Sequence, residues 1–228
     1  MRVHGAALLA AVLALGLVAG AGANKNKLNK ADIAAARANL LKLSDLPPPF
    51  TWKSGKVQAG VSPPPLSCKG FRPKTSDLVT TGHADVVFTA QGVQLEDQSE
   101  LLQSTKMVQN DFKRTFVAAL LPCLKETFTR GATGLAVLRV GQISFPHVAT
   151  YTAAYRILFK LTAKGKPSEE GAFDLIALGA GRKEVSLAFS AILGSAANEK
   201  SGLGGMAVIE QKLSAVLAKR ALGMHAVA

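Results

Sequence analysis

The stretch 174-DLIALGAGRKEVSLAFSA-191 decides how the chain is read. An apolar run meets a glycine-rich corner with two basic residues, Arg182 and Lys183, and then more apolar residues. A dinucleotide loop needs G-x-G-x-x-G after a strand and before a helix. Gly179 and Gly181 supply two glycines, but Glu184 stands at the third position. Beyond it, Val185, Leu187, Phe189 and Ala191 alternate with Glu184, Ser186, Ala188 and Ser190. That is the period of a strand, so no helix N-terminus points at a phosphate. A Walker-type loop fails as well, because Gly-Arg-Lys stands where Gly-Lys-Ser/Thr is required. The stretch predicts two strands joined at Ala180 and Gly181, with Arg182 and Lys183 as a basic corner on a sheet edge.

The same periodicity extends outward. "LAVLRVGQISF" and "YTAAYRILFKLTAK" precede the hairpin as strands; in the second, Ala153, Tyr155, Ile157, Phe159 and Leu161 share one face and Arg156, Lys160 and Thr162 the other. "ADVVFTA" and "GVQLEDQSELLQ" form an earlier pair around Gln91-Gly92. Asn29 is placed to cap a helix whose inner side carries Ile33, Ala36, Leu40 and Leu41, ending around Lys42 to Asp45, ahead of Pro47. Phe50 and Trp52 are expected to pack on the domain edge, and Gly55 to Pro73 to form a long loop. Thr105 to Thr129 has helical periodicity that Pro122 should kink or end. Ser201 to Gly205 suggests a flexible joint before a last helix, Met206 to Leu222, with Val208, Ile209, Leu213, Val216 and Leu217 as its apolar stripe. Strands grouped apart from helices predict an α+β domain: an antiparallel sheet of about six strands, one face covered by helices.

Composition sets the compartment and the class of partner. The chain has 228 residues, 48% hydrophobic and 18% charged, enough for an ordinary core and unlike a disordered chain. Residues 1–23 have a basic start, an apolar run and Ala21-Gly22-Ala23, the pattern of a cleaved export signal; an uncleaved N-terminal anchor is the alternative. Residues 24–30 then form a flexible leader, 31–222 the single α+β domain and 223–228 a tail. Export favours oxidation, so the even pair Cys68 and Cys123 reads as one disulfide, with a reactive thiol as the minor alternative. The formal charge of +12 favours anionic partners, but the basic residues are scattered and form no nucleic-acid stripe.

No catalytic constellation stands out. There is no G-x-S-x-G elbow and no zinc spacing. Of the histidines beyond the export segment, His83 is expected in a turn, His147 in a loop and His225 in the tail, all as surface residues. "LEDQSE" reads as a solvated strand face. Arg156 and Lys160, with Asp174 and Glu184 opposite them and Arg182 and Lys183 at the corner, make either structural ion pairs or a shallow anion-binding face. No catalytic, cofactor or metal residue is assigned.

Several landmarks in order, "ADIAAARANLLKLSDLPPPFTW", "SCKGFRP", "DFKRTFVAALLPCLKETF", "AAYRILFKL" and "FDLIALGAGRKEVSLAFSA", resemble those of uncharacterised exported proteins of actinobacteria and their relatives, over about Ala31 to Arg220. More distantly, the element order is similar to PsbP-like domains, including extracellular sensor domains of mycobacterial serine/threonine kinases and small mycobacterial lipoproteins. That resemblance implies an antiparallel sheet flanked by helices and a sensing or binding role without catalysis. Residue by residue it reaches only Cys68 and Cys123. The chain departs from it in having one cysteine pair, no kinase domain and no lipidated cysteine, and Pro48-Pro49 replaces the usual glycine after "DLP". The expected function is therefore a secreted or envelope-associated, non-catalytic ligand-binding domain that meets an anionic lipid or cell-wall polymer at the membrane surface. The alternatives are an exported hydrolase with a non-obvious site and a structural partner of another envelope protein.

Overall fold

The computed structural model describes residues 25–224 apart from 49, 61, 65 and 131; the predicted export segment and His225 lie outside the described residues. Six long strands carry the sheet: β4 (Val79–Ala90), β5 (Val93–Leu102), β6 (Leu135–Gln142), β7 (Tyr151–Leu161), β8 (Glu169–Ala180) and β9 (Lys183–Gly194). Their order is β4-β5-β9-β8-β7-β6, antiparallel throughout. Three two-residue strands line the outer edge of β4: β1 (Lys25–Asn26, parallel), β2 (Lys53–Ser54) and β3 (Gln58–Ala59), both antiparallel. They cover an edge that would otherwise template pairing with another chain. The sheet is open, and the class is α+β as the periodicities predict.

The 174–191 hairpin is realised as β8 and β9, with Ala180 opposite Lys183 and Gly181-Arg182 as the turn. Gly181 has φ +58°, which a two-residue hairpin with glycine first accommodates without strain. The corner does not stand on a sheet edge. β9 pairs with β5 on one side and β8 with β7 on the other, so both strands are internal.

Helices cover both faces of the sheet, not one. The helices are α1 (Lys30–Asn39), α2 (Thr105–Thr115), α3 (Leu120–Thr129) and α4 (Glu199–Leu222). Ile176 and Leu178 of β8 and Leu187 and Phe189 of β9 pack with Ala36 of α1 and Leu213 and Leu217 of α4. The alternate residues of β8, Phe173, Leu175 and Ala177, pack with Val108 and Phe112 of α2 and Leu124 and Phe128 of α3. Residues of β8 that alternate along the strand belong to different cores, so the helix pairs lie on opposite faces. Every residue from 171 to 180 is buried in consequence. The uninterrupted apolar run Leu175–Leu178 is the sequence trace of this two-sided burial.

Three local expectations are corrected. The segment Thr105–Thr129 is two helices, broken at Phe116–Ala119. Pro122 is the third residue of α3; its ring excludes a helical carbonyl at Ala118, and its missing N–H falls in a first turn that has no intrahelical acceptor anyway. Ser201–Gly205 is no joint, because α4 starts at Glu199. Gly202 lies against β9, where a Cβ would come within 2.8 Å of Leu193 Cδ2. Finally, Val208 is 68% exposed, and the buried stripe of α4 runs through Met206, Glu210, Leu213, Leu217 and Ala221. A carboxyl in mid-stripe hides this register from a hydrophobicity pattern.

Other expectations hold. The Asn29 side chain accepts from the Asp32 N–H at 2.9 Å and caps α1. Phe50 and Trp52 pack against the core, and the Trp52 indole donates to the Pro47 carbonyl at 3.1 Å. α1 lies so close on β4 that a Cβ at Gly82 would run into the Asp32 carbonyl. The Cys68–Cys123 disulfide, with a Cα–Cα distance of 5.6 Å, ties the 66–71 segment to α3.

That bond closes a loop spanning 55 residues of sequence separation, which in the chain-entropy description is worth about 4 kcal/mol. Cys68→Ser is expected to lower stability by roughly 2–4 kcal/mol in urea unfolding, and reductant should lower the parent's midpoint to match. Unchanged midpoints in both experiments would remove the bond from the stability of the fold.

Candidate functional site

The four basic residues expected at an anion-binding face do not converge. Arg156 of β7 stands opposite Asp174 of β8, as the cross-strand pattern predicts, and its Nε donates to Asp174 Oδ1 at 2.7 Å. Glu210 of α4 approaches the same guanidinium at 3.9 Å. Lys160 lies four residues along, exposed, opposite Glu170. At the β8–β9 turn, Arg182 donates to the Leu102 carbonyl, to Thr81 Oγ1 and to Asp32. The Lys183 ammonium donates to the Ala221 carbonyl near the C-terminal end of α4 at 2.6 Å. Arg182 and Lys183 are thus spent on joining helices to the sheet, and Arg156 on joining two of its strands. Glu184 does not oppose Arg156 or Lys160; its neighbours are Gly179 on β8 and Glu100 on β5.

"LEDQSE" is not a solvated face. Asp97, Gln98, Ser99 and Glu100 are all buried, because β5 is an inner strand under helices on both sides. On the α1 side, Asp97 Oδ2 accepts from the Leu41 N–H at 2.6 Å and Ser99 Oγ accepts from Asn39, so β5 anchors the end of α1. On the α2 side, Glu100 accepts from the hydroxyls of Thr80 and Ser62, and Asp111 of α2 accepts from Thr115. Burial is the main cause of the pKa shifts among these acids. It lifts Asp97 to about 7 and Glu100 to about 8, lifts Asp111 to about 6, and raises Glu184 well above its ordinary range, the last also opposed by the charges of Asp111 and Glu100. Burial and the neighbouring Asp174 lift Glu210 to about 9. Burial thus favours the protonated forms of Glu100, Glu184 and Glu210 over the ionised ones. Among the described residues no group of three His, Cys, Asp or Glu side chains is placed to hold a metal ion.

His83 also departs from expectation. It sits in β4, 2% exposed, where burial keeps its imidazole neutral. His147 lies in an exposed loop beside Pro146, as expected.

Beside the apolar core lies a recess that sequence reasoning misses, since its walls come from segments far apart in the chain. It has a volume of about 420 Å³. β5 and β9 give the floor with Val93, Phe189 and Leu193, α4 gives a wall with Met206 and Ile209, and Phe50 gives the opposite side. No charged side chain or histidine lines it, and its polar groups are Gln91, Asn198 and Ser201.

The fold and these features define an α+β domain with an open sheet covered on both faces and an apolar recess at one end of the inner strands. No protein-family model matches the chain, and no curated protein matches it. It is similar to the solved extracellular domain of PknH from Mycobacterium tuberculosis, at 7% identity and a TM-score of 0.39, over 80% of this chain and 96% of that one. It is also similar to an uncharacterised protein (an Rv0999 ortholog) from Mycobacterium smegmatis, at 10% identity and a TM-score of 0.41, over 82% of this chain and 98% of that one. Likenesses of this size assign neither family nor ligand.

The buried carboxyls set the pH dependence of stability. In the folded state they keep protons that the unfolded chain releases in the ordinary carboxylate range. Their stabilising effect is complete below that range and is lost as pH rises through the folded values, from about 6 at Asp111 to about 9 at Glu210. His83 acts in the opposite sense, and only below its own ordinary range. The melting temperature should therefore fall steadily from about pH 6 to about pH 9. Glu100→Gln should flatten that fall and add roughly 1–3 kcal/mol at the alkaline end. A melting temperature that rises over this interval would contradict the assignment.

Proposed function

We propose that the chain is an exported, non-catalytic, sensor-like domain that docks on an anionic component of the cell envelope, a lipid surface or a wall polymer. The observation that carries this reading is a segregation of charge. Six of the 15 acidic residues, Asp97, Glu100, Asp111, Asp174, Glu184 and Glu210, are buried, whereas no Lys or Arg among the described residues is. The exterior therefore carries a larger excess of basic over acidic groups than the composition alone gives. A surface of that sign attracts polyanions and is screened by salt.

The charge has a focus besides the four residues named from the sequence. From Leu46 to Ser76 the chain carries Lys53, Lys56, Lys69, Arg72 and Lys74 and no acidic residue. All five are exposed. The segment is fastened along β4 through β2 and β3, and to α3 through Cys68. A basic segment held this way presents its charges with little ordering cost on binding. The disulfide supports an oxidising compartment. No helix among the described residues is long and apolar enough to cross a membrane.

Exported protein is expected to sediment with vesicles containing phosphatidylglycerol, and not with phosphatidylcholine vesicles, at ~50 mM salt, and to be released at about 500 mM. The variant with Lys53, Lys56, Lys69, Arg72 and Lys74 all changed to Gln should bind at least about tenfold more weakly, since each cation near such a surface contributes about 1 kcal/mol. Its melting temperature should stay close to the parent's. An anionic wall polymer tested in parallel decides which source is preferred. Failure to bind either one at low salt, or binding indifferent to salt and to the five substitutions, would overturn the reading.

A further inference from the structure

We infer that the recess between β5, β9, α4 and Phe50 is a binding site for an uncharged aliphatic molecule, such as a medium-chain alcohol or ester. Its volume of about 420 Å³ is far beyond an ordinary packing defect and within the range of ligand sites. Its floor and walls are aliphatic and aromatic, the lining that ligand sites for apolar groups have. The polar groups lining it, Gln91, Asn198 and Ser201, belong to exposed residues and are neutral donors and acceptors. They suit a hydroxyl, ester or amide end. A carboxylate or phosphate placed there meets no cation.

The wall from α4 supports the same conclusion. Three glycines, Gly202, Gly204 and Gly205, stand within the first two turns of a 24-residue helix. Glycine is among the poorest residues for a helix interior, so each needs a reason. Leu193 supplies one for Gly202. At Gly205, which lines the recess, a Cβ would meet nothing within 4 Å, so sterics do not demand glycine there. What glycine does at that position is leave the recess unfilled. Gly204 is equally open but does not line it. This site uses no charge and stands independently of docking on an anionic surface.

The test is a homologous series of straight-chain alcohols, their methyl esters and the matching fatty acids, titrated calorimetrically into the exported protein below their aggregation concentrations. Affinity for the alcohols and esters should rise about fourfold per added methylene and then level off when the recess is full. It should not change with salt, and the ionised fatty acids should bind more weakly than alcohols of equal length. Gly205→Leu places a side chain in the recess; binding should fall at least tenfold while the melting temperature holds or rises. Gly204→Leu, with the same gain in helix propensity on the neighbouring position, should bind like the parent. Should Gly205→Leu not fold, Gly205→Ala gives the same comparison with a smaller loss. Three results would each overturn the inference: no alcohol binds, affinity climbs with chain length without levelling, or both leucine variants bind like the parent. Fatty acids binding best, in a salt-sensitive way, would place the ligand on the basic exterior and overturn it equally.

Discussion

Helices press on both sides of β5, β9 and β8, and the rest of the structure answers to that constraint. An antiparallel sheet commonly keeps one face in water, where its polar residues need no internal partner. Here no such face exists over the inner strands. An acidic side chain on them is stabilised by a partner inside or by giving up its charge. Asp97 holds the backbone at the end of α1, Asp174 holds Arg156, and Ser99 holds Asn39. Burial pushes Glu100, Glu184 and Glu210 toward their protonated forms.

The same constraint shapes the exterior. Carboxyls taken into the interior no longer offset the lysines and arginines left outside. A modest excess of basic residues in the composition thereby becomes a pronounced excess on the surface. The segment between Leu46 and Ser76 concentrates it, held by short strand pairings and by the disulfide. Arg156 is taken up by Asp174 on the neighbouring strand, and Arg182 and Lys183 fasten helices to the sheet. At the other end of the inner strands, the packing that closes the core elsewhere stops short, because α4 presents Gly205 where a larger residue would fill the gap.

Much of the fold is legible in the chain because it is local. Period-two alternation marks β7 and β9, a continuous apolar run marks β8, Asn29 announces α1, and the order of elements gives the class. Alternation from Glu184 onward rejects the Gly181 corner as a phosphate loop, and the strand β9 occupies those residues. Three of the misreadings share one physical source. "LEDQSE", His83 and Glu210 are polar, and a pattern that sorts polar residues to the surface cannot place them inside. The break at Phe116–Ala119 is signalled by Pro122, but the proline acts on the carbonyl four residues before it, so the break precedes it. The reading of the cations as scattered passes over the basic segment, although it is a run of 31 residues with five cations and no acid. The recess is not legible in the chain, since Phe50, Val93, Phe189 and Met206 share no local pattern.

The sequence by itself determined the six long strands, the Asn29 cap, the cysteine pair and the basic excess, because each rests on residues that are neighbours or on simple composition. Only the tertiary structure decided that both faces of the sheet are covered, which acids lose their charge, which cations are spent internally and where the core leaves space. Those outcomes depend on which segments meet across long separations, and desolvation and packing are set by that meeting rather than by any residue's own preference.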